Sequence, residues 1–153
     1  MKKRAMAEMT LNILLVDDNV DEHFFFRHSL LLMTRPIYFH ALPGGQEMIE
    51  YFKNESNPLP DILFLDINMP MRNGRDCLSY IRSDVRLESV PVVMYSTSDS
   101  QRDIDDTYEL GADLYVRKPN GMDAIRDMIS SVIRIYERDQ LKHSSKEVFL
   151  LAS

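Results

Sequence analysis

Four short runs of uninterrupted apolar residues punctuate the chain: ILLV at 13–16, ILFL at 62–65, VVMY at 92–95 and LYV at 114–116. Each is bounded by polar or turn-forming residues. Unbroken rather than alternating apolar character predicts strands covered on both faces, as in a parallel sheet. A fifth, weaker candidate is IYFHA at 37–41, following Pro36. The intervening segments carry helical spacing. After Asn19, a residue suited to helix capping, Phe26, Leu30 and Met33 recur at helical intervals. Further helices are predicted over 45–53, from Gly74 through Leu78 and Ile81, and over 102–110, where Gly111 supplies a stop. The last, over 123–138, places Ile125, Ile129, Val132, Ile133 and Tyr136 on one face. Strand and helix alternating five times predict an α/β fold, a five-stranded parallel sheet doubly wound with helices on both sides.

Length adds the domain plan. The 153 residues suit one domain, read as an N-terminal tail at 1–10, a folded domain at 11–138 and a C-terminal extension at 139–153. The extension runs from polar LKHSSKE into apolar Val148-Phe149-Leu150-Leu151, outside the five-strand plan. An apolar tip there suggests docking on a partner or on a second copy of the chain, a homodimer; the alternative is a tail packed on its own domain. The proline-bearing segment at 54–60 reads as a surface connection.

Charge and cysteine usage narrow the classes. With 44% hydrophobic and 27% charged residues, the chain has the makeup of an ordinary globular protein. A net charge of -6 argues against a nucleic-acid surface, which needs a basic stripe. The apolar stretch near the start ends at two aspartates, too short for a signal peptide, and no run approaches a membrane span. The single cysteine, Cys77, cannot form an internal disulfide, which suits a reducing, cytoplasmic setting.

Chemistry collects where the apolar runs end. In open parallel sheets, ligands bind beyond the carboxyl ends of the strands. The residues following these runs are Asp17 and Asp18, then Asp66, then Ser96 and Thr97, then Arg117 and Lys118. Three carboxylates, a hydroxyl pair and a cation would therefore meet at one edge. Two unit charges about 4 Å apart repel by about 4 kcal/mol at an effective dielectric near 20. A proton or a cation must intervene. Oxygen-only donors suit Mg²⁺, which takes one or two carboxylates and keeps phosphate oxygens and waters. An aspartate so shielded can act as a nucleophile toward phosphorus.

At this point a family becomes recognisable. The acidic pair in LLVDDN, the loop FLDINMPMRNG, the strand PVVMYSTS and the segment GADLYVRKP resemble the response-regulator receiver domain, within it the stand-alone CheY-like proteins. The likeness runs over about residues 11–138. STS, the DI pair, a tyrosine and GA before Lys118-Pro119 resemble receivers paired with bacterial phytochrome kinases. The resemblance implies a flavodoxin-like fold and a two-component signalling role. It makes Asp66 the phosphoacceptor, with Asp17, Asp18, Asp66 and the Asn68 backbone carbonyl holding Mg²⁺. Ser96 becomes the hydroxyl that bonds the phosphoryl group, a serine where threonine is commoner. Lys118 becomes the lysine that neutralises that group, and Tyr115 the aromatic that changes rotamer with Ser96 on activation. Asn68 and Ser98 fall where the family tunes dephosphorylation. A cis Lys118-Pro119 peptide is also implied. The implied partners are a sensor histidine kinase or phosphotransfer protein upstream and a protein target downstream, met through the fourth helix, fifth strand and fifth helix.

Two other classes stand beside this reading. A phosphatase of the haloacid-dehalogenase type also uses a nucleophilic aspartate, but wants a DxD motif after its first strand, where this chain has Asp17-Asp18-Asn19. A receiver-shaped module that is never phosphorylated is the other, and the intact set of Asp17, Asp18, Asp66, Ser96 and Lys118 counts against it. Taken singly, each of these residues has a plainer role: a solvated pair, a helix cap, a surface lysine, a packed aromatic. His23, His28, His40 and His143 lack metal-ligand spacing, and the ten methionines read mostly as core filler.

Overall fold

The computed structural model describes residues 9–142 and 149–151. Six strands and five helices follow one another: β1 (Leu11–Val16), α1 (Val20–Leu31), β2 (Ile37–Leu42), α2 (Gly45–Lys53), β3 (Ile62–Leu65), α3 (Gly74–Ser83), β4 (Val92–Ser96), α4 (Gln101–Glu109), β5 (Leu114–Arg117), α5 (Met122–Glu137) and β6 (Leu150–Leu151). All pairings are parallel, in the order β2-β1-β3-β4-β5-β6. The five strands read from the sequence form the sheet as expected, and the weak candidate, β2, is the half-exposed edge. The order in which strands are added reverses at β1, so β1 and β3 flank the topological switch point.

Two cores lie on the two sheet faces, because neighbouring residues of a strand point to opposite sides. Leu14, Val16, Leu65, Met94 and Tyr115 pack against α2, α3 and α4. Ile13, Leu15, Phe64, Tyr95 and Val116 pack against α1 and α5. On that second face Phe26 anchors an aromatic cluster, its ring centroid 5.0 Å from Phe64 and 5.2 Å from Tyr95.

Several helix ends follow from local chemistry. The Asn19 side chain accepts from Asp21 N–H. Asn73 and Asp76 form a reciprocal capping box at the start of α3. Gly111, at φ +100°, takes the left-handed conformation that lets the chain turn after α4. Gly74 is fixed by crowding: an added Cβ would sit 2.2 Å from the Asp66 carbonyl oxygen and 2.8 Å from Ile67 Cα. The first turn of α3 is therefore pressed directly against the end of β3. The peptides of the described residues are all trans. The cis Lys118-Pro119 bond implied by resemblance is not present, and trans is the state that X–Pro bonds intrinsically favour.

The C-terminal extension has a place on its own domain. Leu150 pairs with Tyr115 and Leu151 with Val116, adding β6 to the sheet margin. Phe149 is 1% exposed, with ring centroids 5.2 Å from Tyr108 and 6.1 Å from Tyr115. The alternative of a tail packed on its own domain is the arrangement seen for Phe149, which also covers part of the β5 margin expected to meet a target. Val148 lies outside the described residues. We expect Phe149→Ala to cost about 3 kcal/mol or more in urea denaturation, as for other buried phenylalanines. Leu150→Ala, at a half-exposed position, should cost under about 0.5 kcal/mol. Equal, small effects from both would show that the segment is not docked in solution.

Candidate functional site

β1 delivers Asp17, fully buried, and the exposed Asp18 to the sheet rim. The backbone of Asp17 is held by donation to Leu42 O at 3.1 Å, which ties the end of β1 to β2. One of its carboxylate oxygens, Oδ1, accepts from Asn19 N–H at 2.9 Å. β3 delivers Asp66, 5% exposed. Its N–H donates to Val16 O at 2.9 Å, and Oδ1 accepts from Ile67 N–H at 2.9 Å. Carboxylate oxygens of Asp17, Asp18 and Asp66 all lie within 4.8 Å of one another. Among the described residues, no other trio of acidic, histidine or cysteine side chains converges in this way.

Lys118 enters from the far side of the rim, just beyond β5. Its Nζ lies 2.7 Å from Asp17 Oδ2 and 3.8 Å from Asp66 Oδ2. It also sits 5.3 Å from the centroid of the Tyr95 ring. Ser96, the buried last residue of β4, is fixed through its backbone by Lys118 N–H donating to Ser96 O at 2.8 Å. Its Oγ accepts from Ser98 N–H at 3.1 Å. Tyr115 is fully buried, its hydroxyl donating to Ser98 O at 2.8 Å. Asn68 lies on the exposed loop two residues after Asp66. Around the same loop, Met69 is buried while Met71 is 98% exposed, with a positive φ of 69°.

Burial and the neighbouring charge both weigh on the carboxylates. Burial pushes the Asp66 carboxyl up to about 7, the charge of Asp17 adding to the rise while Lys118 and the Ile67 N–H oppose it. Burial works against the Lys118 charge, but the hydrogen bond and charge of Asp17, then Asp66, more than offset it and leave the ammonium above its ordinary range. One lysine thus serves two carboxylates. Asp17 Oδ2 is buried against that ammonium, which it shares with Asp66. Three clustered carboxylates with one ammonium between two of them keep negative charge in excess, and their oxygen donors fit a small hard divalent cation.

The structure therefore brings together Asp17, Asp18, Asp66 and Lys118, with Ser96 on the adjoining strand end and Tyr115 behind it. Several neighbours escape a reading of the sequence. Tyr95 donates to Glu22 Oε2 at 2.8 Å and presents its ring to Lys118. Its hydroxyl is held far above its ordinary pKa, by burial first and then by Glu22. His23 Nε2 lies 2.6 Å from Asp17 O. Strand alternation could have flagged Tyr95 as facing away from Ser96, yet nothing local pairs it with Glu22.

A doubly wound α/β domain with three carboxylates gathered at its switch point has the architecture expected of a receiver domain. Residues 13–130 match the model of the response regulator receiver domain, and the chain belongs to that family. It is therefore a receiver of two-component phosphorelay signalling. It is similar to response regulator Rcp1 of Synechocystis, 31% identical over 105 residues that cover 69% of this chain and 68% of Rcp1. It is also similar to the chemotaxis protein CheY1 of Helicobacter pylori, 24% identical over 123 residues, or 80% of this chain and 97% of CheY1. Among solved structures, the phosphorylated cyanobacterial phytochrome response regulator RcpA superposes with a TM-score of 0.77 at 27% identity, covering 89% of this chain and all of RcpA. The manganese-bound form of Rcp1 has a TM-score of 0.75 at 24% identity and supports the fold. No helix of the described residues is long and apolar enough to cross a membrane.

Proposed function

We propose that Asp66 is the phosphoacceptor of this receiver and that Asp17, Asp18, Asp66 and the Asn68 carbonyl hold Mg²⁺ beside it. The observation that carries this is the meeting of three carboxylates within 4.8 Å at the carboxyl ends of β1 and β3, with one lysine ammonium between two of them. Asp66 is held just after β3 by its N–H bond to Val16 O and by the Ile67 N–H that donates to its Oδ1, and it keeps 5% exposure where Asp17 has none. In the reaction, an Asp66 carboxylate oxygen attacks the phosphorus of a phosphohistidine. The new P–O bond forms an acyl phosphate as the P–N bond breaks, its electron pair returning to the imidazole. When bound, Mg²⁺ supplies positive charge that lets the acceptor and the incoming phosphoryl oxygens approach. Lys118 adds a fixed cation on the other side, and the Ser96 hydroxyl contributes a donor. Tyr115, hydrogen-bonded behind Ser96, is the residue through which occupancy would reach the α4–β5 surface.

Membership of the receiver family supports a donor that is a histidine kinase or phosphotransfer protein, and output through phosphorylation-dependent binding of a protein target. The domain acts on itself and turns over no separate substrate. Incubation with acetyl phosphate and Mg²⁺ should add one phosphoryl group per chain by intact mass, and excess chelator should prevent it. Steady release of phosphate from unrelated esters, without a labelled chain, would replace this reading with that of a phosphatase.

A further inference from the structure

Ser98 is a hub of four hydrogen bonds that strand periodicity does not call for. Its N–H donates to Ser96 Oγ at 3.1 Å, and its carbonyl accepts from Tyr115 OH at 2.8 Å. Its own hydroxyl donates to Asp103 Oδ2 at 2.5 Å and accepts from Ser100 N–H at 3.1 Å. Asp103 in turn is paired with Arg75, which also reaches Asp106 at 3.3 Å. The hydrogen bond from Ser98, and then the bond and charge of Arg75, hold the Asp103 carboxyl below its ordinary range against partial burial. Arg75 immediately follows Gly74, whose missing side chain lets α3 press on the Asp66 carbonyl. A chain of contacts therefore runs from the backbone of Asp66, across α3 and α4, to the lone pair of the Ser96 hydroxyl.

We propose that Arg75 is a positioning residue for Ser96, acting through Asp103 and Ser98; this rests on Asp66 being the phosphoacceptor. Ser98 N–H occupies an acceptor site of the Ser96 oxygen, leaving its proton for a phosphoryl oxygen. The Arg75–Asp103 pair fixes the loop that carries Ser98, so Ser96 is oriented before any phosphoryl group arrives. One guanidinium nitrogen meets both Asp103 and Asp106, which ties Arg75 to two successive turns of α4.

Beryllofluoride, a stand-in for a phosphoryl group, provides the test at saturating Mg²⁺, read by fluorine NMR titration, with Mg²⁺ binding alone read by calorimetry. Arg75→Ala should weaken beryllofluoride binding about five- to tenfold, the scale of a lost preorganising contact, with Mg²⁺ affinity unchanged. Arg75→Lys should recover part of the loss. Ser98→Ala should weaken binding similarly, and Arg75→Ala combined with Ser98→Ala should be no worse than either alone, as for two links of one chain. If Arg75→Ala does not fold, Asp103→Asn breaks the same joint with almost no change in volume and carries the same expectation. Equal losses in beryllofluoride and Mg²⁺ binding would reduce Arg75 to a structural role and overturn the proposal. So would additive effects of the two alanines, or wild-type affinity in Arg75→Ala. A wild type that binds Mg²⁺ but shows no beryllofluoride adduct would instead remove the phosphoacceptor reading, and the positioning role with it.

Discussion

Asp66→Asn should take up no phosphoryl group from acetyl phosphate under conditions that label the wild type fully, because the amide has no carboxylate oxygen to offer phosphorus. Intact mass checks this directly, and labelling that persists would move the acceptor to another residue. The same substitution should change how stability depends on pH. In the folded chain without metal the Asp66 carboxyl is raised from 3.8 to about 7. An acid with a raised folded pKa gives up stability on ionising: its contribution is complete below pH near 4 and is lost as pH climbs through about 7. Metal-free wild type should therefore lose stability across that window, on the order of 2 kcal/mol once sharing of charge with Asp17 and Lys118 is allowed for. Asp66→Asn should lack that portion of the slope and be more stable than wild type at pH 8. Mg²⁺ should shrink the difference by stabilising the wild-type carboxylate. Parallel urea curves for the two proteins from pH 4 to 8 would contradict the burial and crowding that raise the Asp66 carboxyl.

The second large effect belongs to Lys118→Met, which keeps much of the stem and deletes the ammonium. Nothing else described places a cation within 4 Å of both Asp17 and Asp66. Phosphoryl uptake should slow about 10²- to 10³-fold, the usual consequence of losing a preorganised charge that meets the transferring group. Metal-free stability should fall by about 3 kcal/mol, since removing one partner of a buried ion pair strands the other. Saturating Mg²⁺ should restore most of the stability and little of the rate. That split separates a group that holds the fold from one that meets phosphorus. A labelling rate within about twofold of wild type would sink the assignment.

How much of this could be read from the letters alone depends on whether a signal is local. The buried strands announced themselves because burial on both faces leaves no polar position inside the runs at 13–16, 62–65 and 92–95. The rule that chemistry lies past the strand ends then gathered Asp17, Asp18, Asp66, Ser96 and Lys118 without coordinates. Helix α1 was harder, because Val20 and Phe24 stand exposed while Phe26 and Leu30 are buried, so its apolar residues ring the helix instead of forming a stripe. Its spacing also pointed to Met33, which lies beyond the helix end. The contacts of Arg75 with Asp103 and of Tyr95 with Glu22 join residues 28 and 73 positions apart. No periodicity reports such pairs, since each partner taken alone is an ordinary charged or aromatic residue on its own element. Strand β6 was missed for a related reason: two residues carry no pattern, and only the gap beside Tyr115 gives Phe149 somewhere to go.

Sheets that end on a long bare strand invite foreign chains to add rung after rung, which is how ordered aggregates grow. With Leu150 and Leu151 seated, a chain arriving at this margin meets a ladder only two residues long. Besides seating an aromatic ring, the tail thus blunts one of the two places where the protein could template its own polymerisation.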